Sequence, residues 1–175
     1  MGKISWLHIS DLHFGSGEDG SRKLIRDSLL EFVEKKKLDI DYLFITGDLI
    51  YAKELKTDDR RKKAYQDAYE YLKLLYTRIW KDSSAVNIWD RVFLVPGNHD
   101  VIRNRLRITN ISGIKEDYIE NGYESIDKSY EESFSSGFKA YIDNLPEEIK
   151  SKHPESCCAT HYVTKTDKIN ILHIN

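Results

Sequence analysis

Three short stretches of the sequence combine carboxylate, imidazole and carboxamide side chains, and each stretch closes an apolar run. The three are Asp11-Leu12-His13, Gly47-Asp48 and Gly97-Asn98-His99-Asp100. Their oxygen and nitrogen ligands suit divalent ions such as manganese, iron or zinc, and no cysteine thiolate accompanies them to favour a structural zinc site. The residue types therefore predict a metal centre.

The chemistry that such a centre supports is displacement at phosphorus. A carboxylate such as Asp48 can bridge two ions. Two metals about 3.5–4 Å apart would clamp the attacking and leaving oxygens of an in-line displacement, and they would lower the pKa of a bound water.

Three strands must position these residues. The apolar runs are 4–10, 42–46 and 91–95. Helix-length segments separate the runs, which is typical of parallel strands buried on both faces. Ligands of open α/β sheets bind beyond the carboxyl ends of the strands, so the three stretches should meet at one edge. Gly47 and Gly97 let the backbone turn sharply just before Asp48 and Asn98.

In their order and flanking strands, the three stretches resemble the first three signature blocks of the calcineurin-like metallophosphoesterases. The Gly-Asn-His-Asp block at residues 97–100 is the most specific of them, because an isolated Asp-x-His occurs often by chance. The resemblance implies an α/β protein with a four-layer α/β/β/α sandwich. It also implies hydrolysis of phosphomonoesters or phosphodiesters by a hydroxide that two metal ions activate.

The resemblance further implies which residues bind the metals. Asp11 and His13 would hold the first ion, and Asp48 would bridge the two ions. Asn98 would hold the second ion and face the substrate. Two divalent cations are expected as cofactors, with manganese first and iron, zinc or nickel as alternatives.

Catalytic and substrate-binding roles fall on three further positions. By the same resemblance His99, oriented by Asp100, would stabilise the transition state or protonate the leaving oxygen. Arg103 follows the third stretch, and its planar fork of donors suits a phosphate group. A solvated basic face is an equally weighted interpretation of Arg103.

The sequence departs from the family pattern at its later part. The family's following histidine and its Gly-His-x-His segment have no counterpart after the third stretch, so only Asp48 and Asn98 remain as protein ligands of the second ion. We therefore expect a sandwich that is incomplete in its C-terminal half. It would be a fragment of a longer protein or a naturally short one, with weak metal binding and weak activity.

Composition bounds the remaining expectations. A chain of 175 residues with 40% apolar content predicts a single domain over residues 1–175, and the net charge of −2 gives no overall attraction to nucleic acid or membranes. Nothing in it resembles a membrane span or a cleavable leader. Cys157 and Cys158 are adjacent, which indicates either a reducing compartment or indifference to redox conditions, and we expect a cytoplasmic protein.

The remaining pattern predicts helices at 21–37, 59–80 and about 124–144, and a hairpin formed by 157–164 and 168–175. The first helix should cover the sheet with an apolar face formed by Leu24, Ile25, Leu29, Phe32 and Val33. Tyrosines recur at helical spacing in the second helix. Core packing is the preferred interpretation of them, with a stacking surface for bases as the alternative. His8, within the first strand, is interpreted as a core histidine.

Three functions are compatible with these observations. The first is a phosphoesterase acting on a phosphoester substrate, as the N-terminal module of a longer polypeptide. The second is a nuclease module acting on DNA or RNA, which the cluster Arg103, Arg105 and Arg107 favours mildly. The third is a vestigial metal-binding or partner-binding module. Retention of all the motif residues argues against the third, because a site without chemistry has no physical need for them.

Overall fold

The computed structural model describes residues 3–17, 20–81, 87–102, 137–152, 162–166 and 170–173. Several predictions made above lie outside these residues. They concern the arginine cluster at 103, 105 and 107, the cysteines at 157 and 158, and most of the helix predicted from about 124.

A three-stranded parallel sheet forms the centre of the fold. Its strands are β1 (Trp6–Ile9), β2 (Tyr42–Thr46) and β3 (Val92–Val95), hydrogen-bonded in the order β1-β2-β3. Leu43 of β2 pairs with Leu7 on one side and with Val92 on the other. The three strands predicted from the apolar runs are confirmed, and their carboxyl ends lie at one edge of the sheet.

Helices connect the strands within a residue of the predicted bounds. Helix α1 (Gly20–Lys36) follows β1, and helix α2 (Asp58–Ile79) follows β2. The hydroxyl of Thr57 caps α2 by accepting from the amide of Arg60, while the two aspartates in the first turn favour the positive end of the helix dipole. A short 3-10 helix, Ile88–Asp90, leads into β3.

The later part of the chain contributes helical residues 137–144 (α3), helix α4 (Glu147–Lys152) and an antiparallel hairpin. The hairpin consists of β4 (Tyr162–Lys165) and β5 (Asn170–His173), as the sequence predicts. Together with the parallel sheet and its helices it confirms the α/β class. The four-layer count and the incomplete C-terminal half stay predictions.

The tyrosines of α2 belong to the hydrophobic core. Tyr65, Tyr69 and Tyr76 are buried alongside Leu72 and Leu75 of the same helix. Burial of these rings confirms the core interpretation and leaves them no free faces for stacking on bases.

Two expectations about burial are wrong. The outer face of α1 exposes Leu24 and Ile25 at 66% and 67%, and of the helix's residues only Val33 is buried. Strand β1 was expected to be covered on both faces, yet Trp6 and His8 are exposed. The reason is that β1 lies at the edge of the described sheet, and none of the described residues covers these surfaces.

His8 is consequently not a core histidine. Its Nε2 lies 2.5 Å from the hydroxyl of Thr46 on the neighbouring strand, a cross-strand pair on the exposed face. The hydroxyl offers the imidazole a polar partner without burial.

Candidate metal centre

The loops that follow β1 and β2 are joined by backbone hydrogen bonds. The amide of Asp11 donates to the carbonyl of Gly47 at 3.3 Å, and the amide of His13 donates to the carbonyl of Asp48 at 2.8 Å. This pairing continues the sheet beyond its regular strands. It therefore holds the first two predicted stretches side by side.

Strained backbone is concentrated at the predicted ligands. Four non-glycine residues in the described part of the chain have positive φ, and three of them are Asp11 (59°), His13 (50°) and Asp48 (56°). This conformation is unfavourable for residues with a Cβ and tends to occur at functional sites, where the surrounding structure enforces it. Here it turns three potential ligands toward one another.

The side chains of these residues converge. Nε2 of His13 lies 3.2 Å from Oδ1 of Asp11 and 3.7 Å from Oδ2 of Asp48. A ligand atom from each of His13, Asp48 and His99 lies within 4.8 Å of the others. His13 and Asp48 are buried, whereas Asp11 is exposed. The site therefore opens to solvent at Asp11, and the buried residues His13 and Asp48 form its base.

The residues present fit a divalent cation. The Nδ1 atom of His13 is buried and has no hydrogen-bond partner among the described residues, an expensive state unless something else binds the ring. A hydrogen bond from Ser10, and a second from His13, lower the pKa of Asp11, so its carboxylate is ionised at neutral pH. The donor set of carboxylates and imidazoles suits such an ion. Asp11, His13 and Asp48 are the residues that would hold it.

The third stretch closes the site through its backbone. The amide of His99 donates to Oδ1 of Asp48 at 2.8 Å, and its carbonyl accepts from the amide of Ala52. A Cβ at Gly97 would collide with Oδ1 of Asp48, so only glycine allows this approach. Gly47 and Gly97 therefore perform the tight-turn role that the sequence predicts for them.

Asp100 differs from its expected role. It is fully buried and accepts hydrogen bonds from the amides of Gly97, Leu49 and Ile50 and from the hydroxyl of Tyr65. None of its hydrogen bonds among the described residues goes to the imidazole of His99. Asp100 instead ties the loop after β2 to the loop after β3. Burial raises the pKa of this carboxyl to about 6, against the opposing effect of the three amides.

The other predicted site residues are distributed as follows. His99 lies within the cluster, where it could act as a ligand or as a proton donor. Asn98 is exposed beside it, and its side chain makes no hydrogen bond within the part of the chain that the structure describes. Arg103 lies outside the described residues. The roles assigned to these residues stay predictions.

Tyr51 is a site residue that the sequence did not single out. Its ring stacks on the imidazoles of both His13 and His99, with centroid distances of 5.3 and 4.7 Å. The guanidinium of Arg22 lies 5.8 Å from the centre of the same ring. The only signal in the sequence was its position three residues after Asp48.

Comparison with known proteins agrees with this geometry. The sequence profile of the calcineurin-like phosphoesterases matches residues 4–172. The chain belongs to the calcineurin-like phosphoesterase family. This confirms the resemblance drawn from the three motifs, and membership of the family implies a metal-dependent phosphoester hydrolase.

One relative of this family member is the uncharacterized metallophosphoesterase-like protein YydB of Bacillus subtilis (strain 168). The two are 29% identical over 178 residues, which cover 99% of this chain and 33% of YydB. The chain thus spans about a third of the length of this relative. No solved structure gives a significant match. Among the described residues, no helix is both long and apolar enough to cross a membrane.

Proposed function

We propose that this calcineurin-like phosphoesterase hydrolyses phosphomonoesters or phosphodiesters with two divalent cations, manganese first among them. The observation that carries the proposal is the convergence of Asp11 and Asp48 on Nε2 of His13, a ring whose Nδ1 atom is buried without a hydrogen-bond partner among the described residues. When bound, divalent ions would neutralise phosphate charge and lower the pKa of a water molecule.

The chain's own residues contribute binding and proton transfer. The ionised carboxylate of Asp11 is exposed at the mouth of the site, where it would bind a cation. The imidazole of His99 lies within the cluster, with its ring centre 4.9 Å from that of His13, and would donate a proton to the oxygen of the leaving group. The position of His99 is set by the hydrogen bond from its backbone amide to Asp48 and by stacking against the ring of Tyr51.

We further propose that this chain is the N-terminal module of a longer cytoplasmic polypeptide. The support is that the match covers 99% of this chain but only 33% of YydB. Because the second ion would then have few protein ligands, the chain alone should bind it weakly and turn over slowly.

The test is hydrolysis of bis(p-nitrophenyl) phosphate with and without Mn²⁺. The wild-type chain should require the metal, and Asp48→Asn should lower the rate at least about 100-fold because it removes a ligand charge. Asp39→Asn, an exposed aspartate before β2, is the matched control and should leave the rate unchanged.

Two results would refute the proposal. One is turnover that survives chelation of the metal, and the other is an Asp48→Asn variant as active as wild type. Mn²⁺ binding without turnover in both this chain and a longer version would favour the vestigial binding module.

A further inference from the structure

A cavity of about 460 Å³ lies beside the metal centre. Asn98 and His99 form part of its wall, so it is continuous with the predicted site residues. Its size is in the range of small-molecule sites, and larger than one phosphate group needs. The cavity can therefore hold a part of the substrate beyond the phosphate that reacts.

The wall of this cavity is basic. It includes the side chains of Lys53 and Lys56 from the segment after β2 and of Arg61 from the first turns of α2. The two lysines are exposed and form no salt bridge with a described residue. Arg61 pairs with Asp58 at 2.7 Å. Three cations and one paired carboxylate leave the cavity with excess positive charge.

Arg61 carries an unused donor. Its side chain is only 13% exposed, and its Nε atom is buried without a hydrogen-bond partner among the described residues. A guanidinium donor withdrawn from water and left unpaired is costly, and phosphate oxygens are the acceptors that this group matches best. This points to an anionic ligand rather than to neutral polar groups.

The rest of the cavity wall is apolar. Leu55, Val101 and Ile102 contribute to it, and Leu55 and Ile102 are buried. Such an apolar surface accommodates the carbon framework of a sugar better than it accommodates a hydrated ion. The cavity thus combines an apolar wall with cationic groups, next to the site of phosphate chemistry.

We propose that this cavity binds a second phosphate group of the substrate, the neighbour of the one that is hydrolysed. Lys53, Lys56 and Arg61 would be the residues that recognise it. The inference rests on the proposed function, since it assumes that the first phosphate binds at the metal centre. The second phosphate can be the terminal group of a nucleotide or the diester of a nucleic-acid strand.

The experiment compares ligands that differ by one phosphate. Binding of thymidine 3′,5′-bisphosphate and of thymidine 3′-phosphate to the 175-residue chain is measured by calorimetry with Ca²⁺ in place of Mn²⁺, so that the ligands are not hydrolysed during the titration. Wild type should bind the bisphosphate about tenfold more tightly, and added salt should reduce this preference. In the Lys53→Ala/Lys56→Ala variant the preference should fall to within about twofold.

Controls separate the cavity from general surface charge. Lys62→Ala removes an exposed lysine of α2 that lies outside the cavity wall, and it should retain the tenfold preference. Equal binding of the two ligands by wild type, or a preference that survives in the double-lysine variant, would overturn the proposal. Circular dichroism confirms that both variants are folded.

A third ligand, the dinucleotide TpTp, distinguishes the two sources of the second phosphate. If it binds like the bisphosphate, the cavity accepts a strand diester, which supports the nuclease alternative. If it binds like the monophosphate, the cavity requires a terminal phosphate. Because binding is measured without turnover, absence of hydrolysis would refute the proposed function while leaving the preference itself measurable.

Discussion

Asp100 is a buried carboxylate that accepts hydrogen bonds from the backbone amides of two loops, those after β2 and β3. We expect Asp100→Asn to lower the free energy of unfolding by about 2–4 kcal/mol, because the new amide group would face backbone N–H donors that need an acceptor. Urea denaturation in the presence of a chelator measures this without a contribution from metal binding. Asp27→Asn, at an exposed position of α1, should change it by less than about 0.5 kcal/mol. Equal stability of the two variants would contradict this role.

Tyr51 supports two imidazoles with one ring. We expect Tyr51→Ala to lower kcat about 10- to 100-fold with a smaller change in KM, because His13 and His99 lose the surface that orients them. Tyr51→Phe keeps the ring and should restore most of the activity. Hydrolysis of a chromogenic diester at several substrate concentrations separates the two constants. Failure of phenylalanine to rescue would assign the effect to the hydroxyl.

At this scale the sequence predicts residue types better than contacts. The order of the three motifs was sufficient to predict that Asp11, His13 and Asp48 lie close together. The partners of Asp100 and the stacking of Tyr51 could not be predicted, because both depend on how two loops distant in sequence lie against each other. Spacing along the chain contains no such information.

Among the elements, the crossing of the loops after β2 and β3 is the tightest part of the site. We expect Gly97→Ala to weaken Mn²⁺ binding at least tenfold and to destabilise the fold by about 2 kcal/mol or more, because its Cβ would collide with Asp48. Calorimetry and denaturation measure the two effects. Gly20→Ala is the matched control, since a Cβ there meets nothing within 4 Å and alanine favours the helix that begins at Gly20. Similar metal affinities for both variants would contradict this explanation.

The periodicity of apolar residues predicted where the strands and helices lie. It did not predict which of their faces are buried. Strands β1 to β3 and helices α1 and α2 lie where apolar spacing predicted them, because a buried stripe must repeat with the period of its element. The same spacing wrongly predicted burial of Leu24 and Ile25 on α1 and of the outer face of β1. An apolar pattern indicates which face of an element is suited to burial, but it does not identify the element that would pack against that face.

At the scale of the whole molecule, metal binding and folding are linked. A cation that binds only the folded chain stabilises it by RT ln(1 + [L]/Kd), which is about 1.4 kcal/mol at ten times the dissociation constant. For a chain of 175 residues this corresponds to a rise in Tm of about 3–6 °C. A C-terminally extended version that supplies the later histidines should bind more tightly and show a larger shift at the same Mn²⁺ concentration. Asp48→Asn should reduce the shift at either length, and equal shifts for the two wild-type lengths would show that these 175 residues already hold the full ligand set.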